Sequence, residues 1–381
     1  MIKPLDFAKL LIEQRSITPN DSGLQHQIFQ YLSEYGFKHI DLSTKGVTNS
    51  WIYRGSGAPF IIISGHTDVV PPGDERQWTS PPFEPMVKNN MLYGRGACDM
   101  KGPLAACVSA LSKLNQTQGT IALALTSDEE GDAIHGSKHI VKWLNDNQKT
   151  ADCTLVIEPT SRSVLGDILK NARRASTYLN LTIKLPPHHV AYLDSNKNPI
   201  LSVMAMIDAL STEFTIPNVN FHLVDMHAGT ASNVTPSEVC LKFNWRHPDS
   251  LTFNQVKLLT ESIVSKYTDN TNYQWQQASE SYYSAPKTHT QSLIKAIEQV
   301  CAITPQLSQE GGTSDGRFFA KASNEIIEFG PLNKSIHQVD EHICIFDLEL
   351  LSQIYFNWLT QIFSVDSTSQ FDKEQSAAHS K

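Results

Sequence analysis

Three short apolar runs, "FIIIS" (60–64), "TIALALT" (120–126) and "CTLVIE" (153–158), constrain this chain more than anything else in it, because they are continuous rather than alternating. A strand with one wetted face alternates apolar and polar residues, whereas a strand covered on both faces reads as an unbroken apolar run. Helical spacing fills the intervals, with Leu104, Cys107, Val108 and Leu111 on one stripe and "HGSKHIVKWLND" from His135 on another. Strand and helix in alternation predict an α/β fold, a mostly parallel mixed sheet with flanking helices. Leu24, Ile28, Tyr31, Leu32 and Tyr35 predict an earlier helix that stops at Gly36. The opening "MIKPLDFAKLLIEQRS", with Asp6 and Glu13 among its apolar residues, reads as a first helix and not a signal.

At 381 residues the chain exceeds the usual size of one core, so two packed units are expected. The texture changes near Ser176: "STYLNLTIKL", a helical stripe of Ile200, Val203, Met204, Ile207 and Leu210, and the strand-like "EVCLKFNWR" predict a smaller α+β insert. Helical spacing resumes at Leu293, Ile294, Ile297 and Val300, followed by "NEIIEFG" and a closing helix on Leu348, Leu351, Tyr355, Trp358, Leu359 and Ile362. The expected organisation is a discontinuous domain of residues 1–175 and 290–363, an inserted domain of residues 176–289, and a disordered tail at 364–381 too poor in apolar side chains to bury.

A net charge of −8, from 31 basic and 39 acidic side chains, argues against a general nucleic-acid binder, which needs a basic face. No apolar segment approaches the ~20 residues of a bilayer span, so no membrane role is expected. The six cysteines are scattered singly without a CxxC pair, and the expected location is a reducing cytoplasm.

Ligand sites in such sheets lie at the carboxyl ends of the strands. There the polar residues collect: His66 and Asp68 after the first run, "TSDEEG" with Glu129 and Glu130 after the second, and Glu158 after the third. Alternate residues of a strand share a face, so the Asp68 carboxylate is expected to orient the His66 imidazole. Asp99 sits in the glycine-punctuated loop "YGRGACDMKG", and His337 in "NKSIHQVDEH". Together His66, Asp99, Glu130, Glu158 and His337 are the ligand types that divalent zinc accepts. Taken singly, an HxD pair is a surface coincidence and two adjacent glutamates are a solvated loop; His26, His39, His139, His222, His227 and His289 keep that ordinary reading.

The segments "SGHTDVVPPGDERQWTSPPFEP", "LYGRGACDMKGPLAA", "LTSDEEG", "EPTS", "GDILKNARRAS", "HVAY", "ASNVTP", "GGTSDGRFFA" and "FGPLNKSIHQVDE", in this order along most of the chain, resemble the zinc-dependent aminoacylase and desuccinylase peptidases, and within them the bacterial succinyl-diaminopimelate desuccinylases. The resemblance implies a metallopeptidase-like catalytic domain with an inserted lid and dimerisation domain, two zinc ions per subunit with cobalt or manganese as substitutes, and a homodimer. It implies that Asp99 bridges the ions, His66 and Glu158 hold one, Glu130 and His337 hold the other, and Glu129 stays free as general base. It further implies an oxyanion donor in His189 and substrate contacts from Arg174, Ser176, Tyr192, Asn233, Arg246, Gly312, Thr313 and Asn333. The reaction implied is hydrolysis of N-succinyl-LL-2,6-diaminopimelate in lysine and diaminopimelate biosynthesis. Departures lie in the insert, where "KLPPHHV" sets two prolines in place of a glycine-rich turn, "YLD" stands for the usual "YPH", and "SESYYSAP" replaces a Pro-Phe-Leu-Thr segment. They keep open a related N-acyl-amino-acid deacylase of the acetylornithine type or a metallo-exopeptidase; the alternative outside enzymes, a metabolite-binding homologue without catalysis, is disfavoured because all five ligand candidates and Glu129 are present.

Overall fold

The computed structural model describes residues 1–115 and 118–363; the tail expected to be disordered lies outside them. In chain order the first unit contributes α1 (Pro4–Ile12), α2 (Leu24–Ser33), β1 (Lys38–Asp41), β2 (Asn49–Ser56), β3 (Phe60–His66), β4 (Met86–Lys88), β5 (Met91–Tyr93), α3 (Lys101–Lys113), β6 (Gly119–Thr126), α4 (Ser137–Asp146), β7 (Cys153–Val156) and β8 (Ile168–Lys170). A second unit follows with β9 (Ala172–Arg173), β10 (Ala175–Lys184), α5 (Pro199–Glu213), β11 (Asn220–Ala228), β12 (Glu238–His247), α6 (Phe253–Val264), β13 (Thr271–Ser279) and β14 (Tyr282–Tyr283). The chain then returns through α7 (Thr288–Cys301), β15 (Gln306–Ser308), α8 (Gly316–Phe319), β16 (Ile326–Glu328), β17 (His342–Cys344) and α9 (Ile345–Phe363). Among the described residues, the two compact units comprise residues 1–115, 118–171, 284–308 and 314–363, and residues 172–283 and 309–313.

Among the described residues, the first unit is built on an eight-stranded sheet in the order β1-β2-β6-β3-β7-β16-β8-β15. β3 runs parallel to both β6 and β7, and β7 parallel to β16, so the carboxyl ends of these four strands share one edge. The predicted apolar runs are the buried centre of this sheet: every residue of β3 after Phe60 is buried. The sheet is mixed because β2 pairs antiparallel with β1 and β6. α1, with Pro4 at its first turn where a missing N–H costs nothing, buries Phe7, Ala8, Leu11 and Ile12. α3 and α9 complete the core, the latter through Leu348, Leu351, Tyr355, Trp358 and Leu359, all fully buried. No helix of the described residues is long and apolar enough to cross a membrane.

The second unit is a four-stranded antiparallel sheet in the order β11-β12-β10-β13, with its own core around Trp245, Phe243, Leu179, Leu181, Met206 and Val256. β10 alternates buried and exposed residues, the pattern of a sheet covered on one face by helices and open on the other. β11 is an edge strand, and Leu223, Val224 and Met226 on it are exposed.

Candidate metal centre

The shared strand edge places the site. Cα register pairs His66 with Thr126 across β3 and β6, and Ser64 with Val156 across β3 and β7. His66 therefore closes its strand level with the residues that lead into Glu129–Glu130 and Glu158. Asp99 arrives on the loop before α3, where Gly96 takes a φ of 84° that favours glycine. His337 arrives on the loop after β16, itself at a φ of 59°, a left-handed conformation uncommon for a side-chain-bearing residue. Glycine is also required at Gly330, where a Cβ would lie 2.4 Å from the carbonyl oxygen of Glu158.

The Asp99 carboxylate faces two ways. Its Oδ1 lies 3.2 Å from His66 Nε2, and its Oδ2 lies 3.4 Å from His337 Nε2. Glu158 Oε1 stands 3.9 Å from His66 Nε2, and Glu130 Oε1 stands 3.0 Å from His337 Nε2. Two triads result, His66/Asp99/Glu158 and Asp99/Glu130/His337, each with its candidate ligand atoms within 4.8 Å of one another and both sharing Asp99. Glu129 belongs to neither.

Asp68 acts differently from the strand-face expectation. It lies past the end of β3, and its backbone carbonyl, 2.8 Å from His66 Nδ1, holds the ring while its carboxylate stands 3.6 Å off. The buried carboxylate instead accepts the backbone N–H of Glu129 at 3.4 Å and of Glu130 at 3.1 Å, fixing the two-glutamate loop. Asp128 ties the far side of that loop, accepting from the backbone of Ala133, Ile134 and His135.

Without cations the cluster is electrostatically frustrated. Burial alone would lower the His66 pKa, but Asp99, Asp68 and Glu158 outweigh it and raise the imidazole well above its usual range. Hydrogen bonds to Asp99 and Glu130 push His337 up to about 10. Burial acts against the Asp99 carboxylate, yet His337 and His66 hold it well below the usual range. Glu129 is raised well above an ordinary glutamate by burial and then by Glu158 and Asp315, and Glu130 is raised by burial despite His337. Asp315, a neighbour the sequence reading missed, is pushed up to about 6 by burial, and its Oδ1 is buried without a hydrogen-bond partner. Asp68, Asp99, Glu129, Glu130, Glu158 and Asp315 thus crowd two imidazoles, and positive charge placed among them would relieve the repulsion.

The remaining expected residues lie mostly in the second unit. Arg174 and Arg246 are half-buried, Ser176 is buried, and Ser176 pairs with Arg246 across β10 and β12. His189 is exposed, accepts the Ala191 N–H on Nδ1 at 3.2 Å and sits 5.5 Å, centroid to centroid, from the exposed Tyr192. Its segment is bridged to the one bearing Asn233, whose carbonyl accepts the Val190 N–H at 3.1 Å. These residues do not form one cluster within a single copy of the unit. His189 and Asn233 lie beyond the Lys184–Glu238 end of the β10–β12 ladder, whereas Ser176 and Arg246 lie at the other end. Eight ladder steps at ~3.4 Å separate the two ends by about 27 Å. Gly312 is exposed and its carbonyl accepts from Arg173 Nη1 at 2.9 Å; Thr313 and, in the first unit, Asn333 are half-buried.

Comparison with known proteins gives the same architecture. The model of peptidase family M20/M25/M40 matches residues 62–361. A succinyl-diaminopimelate desuccinylase of Coxiella burnetii is 41% identical over 371 residues, covering 94% of this chain and 99% of that protein. One of Alkalilimnicola ehrlichii is 38% identical over 366 residues, covering 93% and 98%. Among solved structures, YXEP of Bacillus subtilis, described as a dinuclear metal binding peptidase from the M20 family, superposes with a TM-score of 0.70 at 16% identity, covering 95% of this chain and 98% of that one.

Proposed function

The chain belongs to peptidase family M20/M25/M40, and from that premise we propose that it is a di-zinc amide hydrolase that cleaves N-succinyl-LL-2,6-diaminopimelate to succinate and LL-2,6-diaminopimelate. The substrate is taken from the curated desuccinylases, which resemble the chain over nearly its whole length. The observation that carries the chemistry is the Asp99 carboxylate with a different histidine on each oxygen and a second carboxylate beside each histidine.

Imidazole nitrogen and carboxylate oxygen suit zinc, and also cobalt or manganese. His66 with Glu158 would hold one ion, His337 with Glu130 the other, and Asp99 one oxygen to each. Bound there, the ions supply Lewis acidity, which brings the pKa of water toward ~7 and polarises an amide carbonyl. Glu129, next to the ligands but in neither triad, accepts the proton of the attacking water as the C–O bond forms. It then hands that proton to the amine as the C–N bond breaks, and a carboxyl whose hold on a proton is strengthened by burial and by Glu158 and Asp315 suits both transfers. Asp68 keeps Glu129 in place through the backbone of the glutamate loop.

Substrate carboxylates would meet the guanidinium forks of Arg174 and Arg246, with hydrogen bonds from Ser176, Tyr192, Asn233, Gly312, Thr313 and Asn333. The separation of His189 from Arg246 along one ladder supports a homodimer in which a second copy of the chain supplies His189 as oxyanion donor. The exposed apolar edge of β11 favours association through the insert. A biosynthetic enzyme of this kind, with six unpaired cysteines, fits the cytoplasm.

The test is turnover by the zinc-loaded protein of N-succinyl-LL-2,6-diaminopimelate, N-acetylornithine and simple dipeptides side by side. The succinylated substrate is expected to be hydrolysed fastest. Faster turnover of either rival overturns the substrate assignment, and two bound zinc ions with no turnover at all overturn catalysis.

A further inference from the structure

Resting on the paired-metal reading, we propose that Arg95 and Glu341 form a positioning clamp that sets the bridging carboxylate and the His337 end of the metal centre. Both side chains are buried, at 2% and 1% exposure. The Glu341 carboxylate receives four donors. Oε2 accepts from Arg95 Nη1 at 2.8 Å and Gly96 N at 2.9 Å, and Oε1 accepts from Cys98 N and Asp99 N, each at 2.9 Å. Both oxygens thus have two donors each, matching their lone pairs. Three of the four donors are backbone N–H groups of residues 96–99, an anion-binding concavity of the kind successive amides form. The last of them is the amide of Asp99 itself, so the glutamate fixes the backbone from which the bridging carboxylate projects.

Arg95 carries the same constraint to two further segments. Its Nη1 donates to the carbonyl of Gln338 at 3.1 Å, next in chain to His337, and its Nη2 reaches the carbonyl of Pro71 at 3.5 Å. The guanidinium is stacked 5.0 Å over Trp78, which fixes its plane. One ion pair therefore joins the loops that follow His66, carry Asp99 and carry His337. The other ligands have separate anchors: His66 has the Asp68 carbonyl, and Glu158 has the close backbone approach of Gly330. Loss of Arg95 therefore loosens the Glu130/His337 side first, whereas loss of the Glu341 charge disturbs Asp99 and with it both sides. Glutamine does not replace Glu341, because its amide N–H₂ would face backbone donors.

The experiment is calorimetric titration of zinc alone, against a competing chelator, into metal-free full-length protein and into Arg95→Met, Arg95→Lys and Glu341→Gln, with thermal unfolding recorded beside it. The parent chain is expected to bind two zinc ions. In Arg95→Met one binding step weakens at least about tenfold while the other stays within about threefold, and Glu341→Gln weakens both by about tenfold or more, the range typical when partners of metal ligands are removed. Arg95→Lys, which keeps the charge and loses the fork, shows the same asymmetry at smaller size and decides the matter if Arg95→Met does not fold. Both steps unchanged in both Arg95 variants, whatever the loss of melting temperature, would reduce the pair to fold support and overturn the clamp. A parent chain that binds fewer than two ions overturns the paired-metal reading beneath it.

Discussion

Glu129→Gln separates base chemistry from metal binding. The side chain belongs to neither metal triad, and the hydrogen bond that positions its loop runs from its backbone N–H to Asp68, so an isosteric amide leaves both in place. What it removes is a proton acceptor, which contributes about 10²- to 10⁴-fold in rate, or about 3–5 kcal/mol of barrier at 1.36 kcal/mol per decade. The substitution also acts on the metal-free fold. Burial, with Glu158 and Asp315, raises the Glu129 pKa in the folded chain, and a raised acid weakens the fold as pH rises through that pKa. The neutral glutamine escapes this loss, so the metal-free variant is expected to be no less stable than the parent at pH 7 and to approach it in acid. The assay is release of primary amine from N-succinyl-LL-2,6-diaminopimelate, with zinc content measured on the same sample by atomic emission. Turnover within about tenfold of the parent at full zinc content would refute the assignment of Glu129 as base.

Three further outcomes follow from the cluster. Because carboxylates hold the His66 and His337 pKa values up, the latter to about 10, both imidazoles carry protons at neutral pH in the metal-free chain. Zinc must displace them, so titrations at pH 7 in buffers of different ionisation enthalpy should show net proton release on zinc binding; no release contradicts the ligand set. Asp68→Ala removes the acceptor for two backbone N–H groups of the glutamate loop but keeps the carbonyl that holds His66. Its kcat should fall about 10- to 100-fold, with the zinc step of the His66/Glu158 side little changed; equal weakening of both zinc steps would argue against this division of labour. Asp315 rises from 3.8 to about 6 on folding. That is about two pH units at 1.36 kcal/mol each, so it costs the metal-free fold up to about 3 kcal/mol, a loss that grows as pH rises from about 4 to about 6. Asp315→Asn should flatten that pH slope in urea unfolding, and an unchanged slope would contradict it.

The sheet edge was legible because short continuous apolar runs alternating with helical patterns read as central strands, and parallel central strands bring their carboxyl ends together; that places His66, the Glu129–Glu130 pair and Glu158 at one edge, while the motifs around them assigned the separate roles. His337 was not legible in this way. Its loop has no periodicity and its backbone is left-handed, so only the motif around it pointed to the site. β2 went unread because its antiparallel place between β1 and β6 is set by partners, not by its own pattern. The Asp68 carboxylate was read on the strand face, but the strand ends two residues before it, and the loop turns its carbonyl to the ring. Arg95, Glu341 and Asp315 escaped for a simpler reason: a buried charge looks like a surface charge until its partner is known, and the Arg95–Glu341 pair spans 246 residues.

The strands that lead out of and back into the first unit leave and return side by side. Ala172 pairs with Tyr283 and Arg173 with Tyr282, while just outside them the Ser284 N–H donates to the Asn171 carbonyl at 2.8 Å. Residues 171 and 284 are therefore neighbours whether or not 112 residues intervene, and a tight turn could replace everything between them without rerouting the larger sheet. Such a splice point lets selection exchange residues 172–283 as a cassette. The loops that gather the imidazoles and carboxylates are drawn entirely from chain on the other side of that seam.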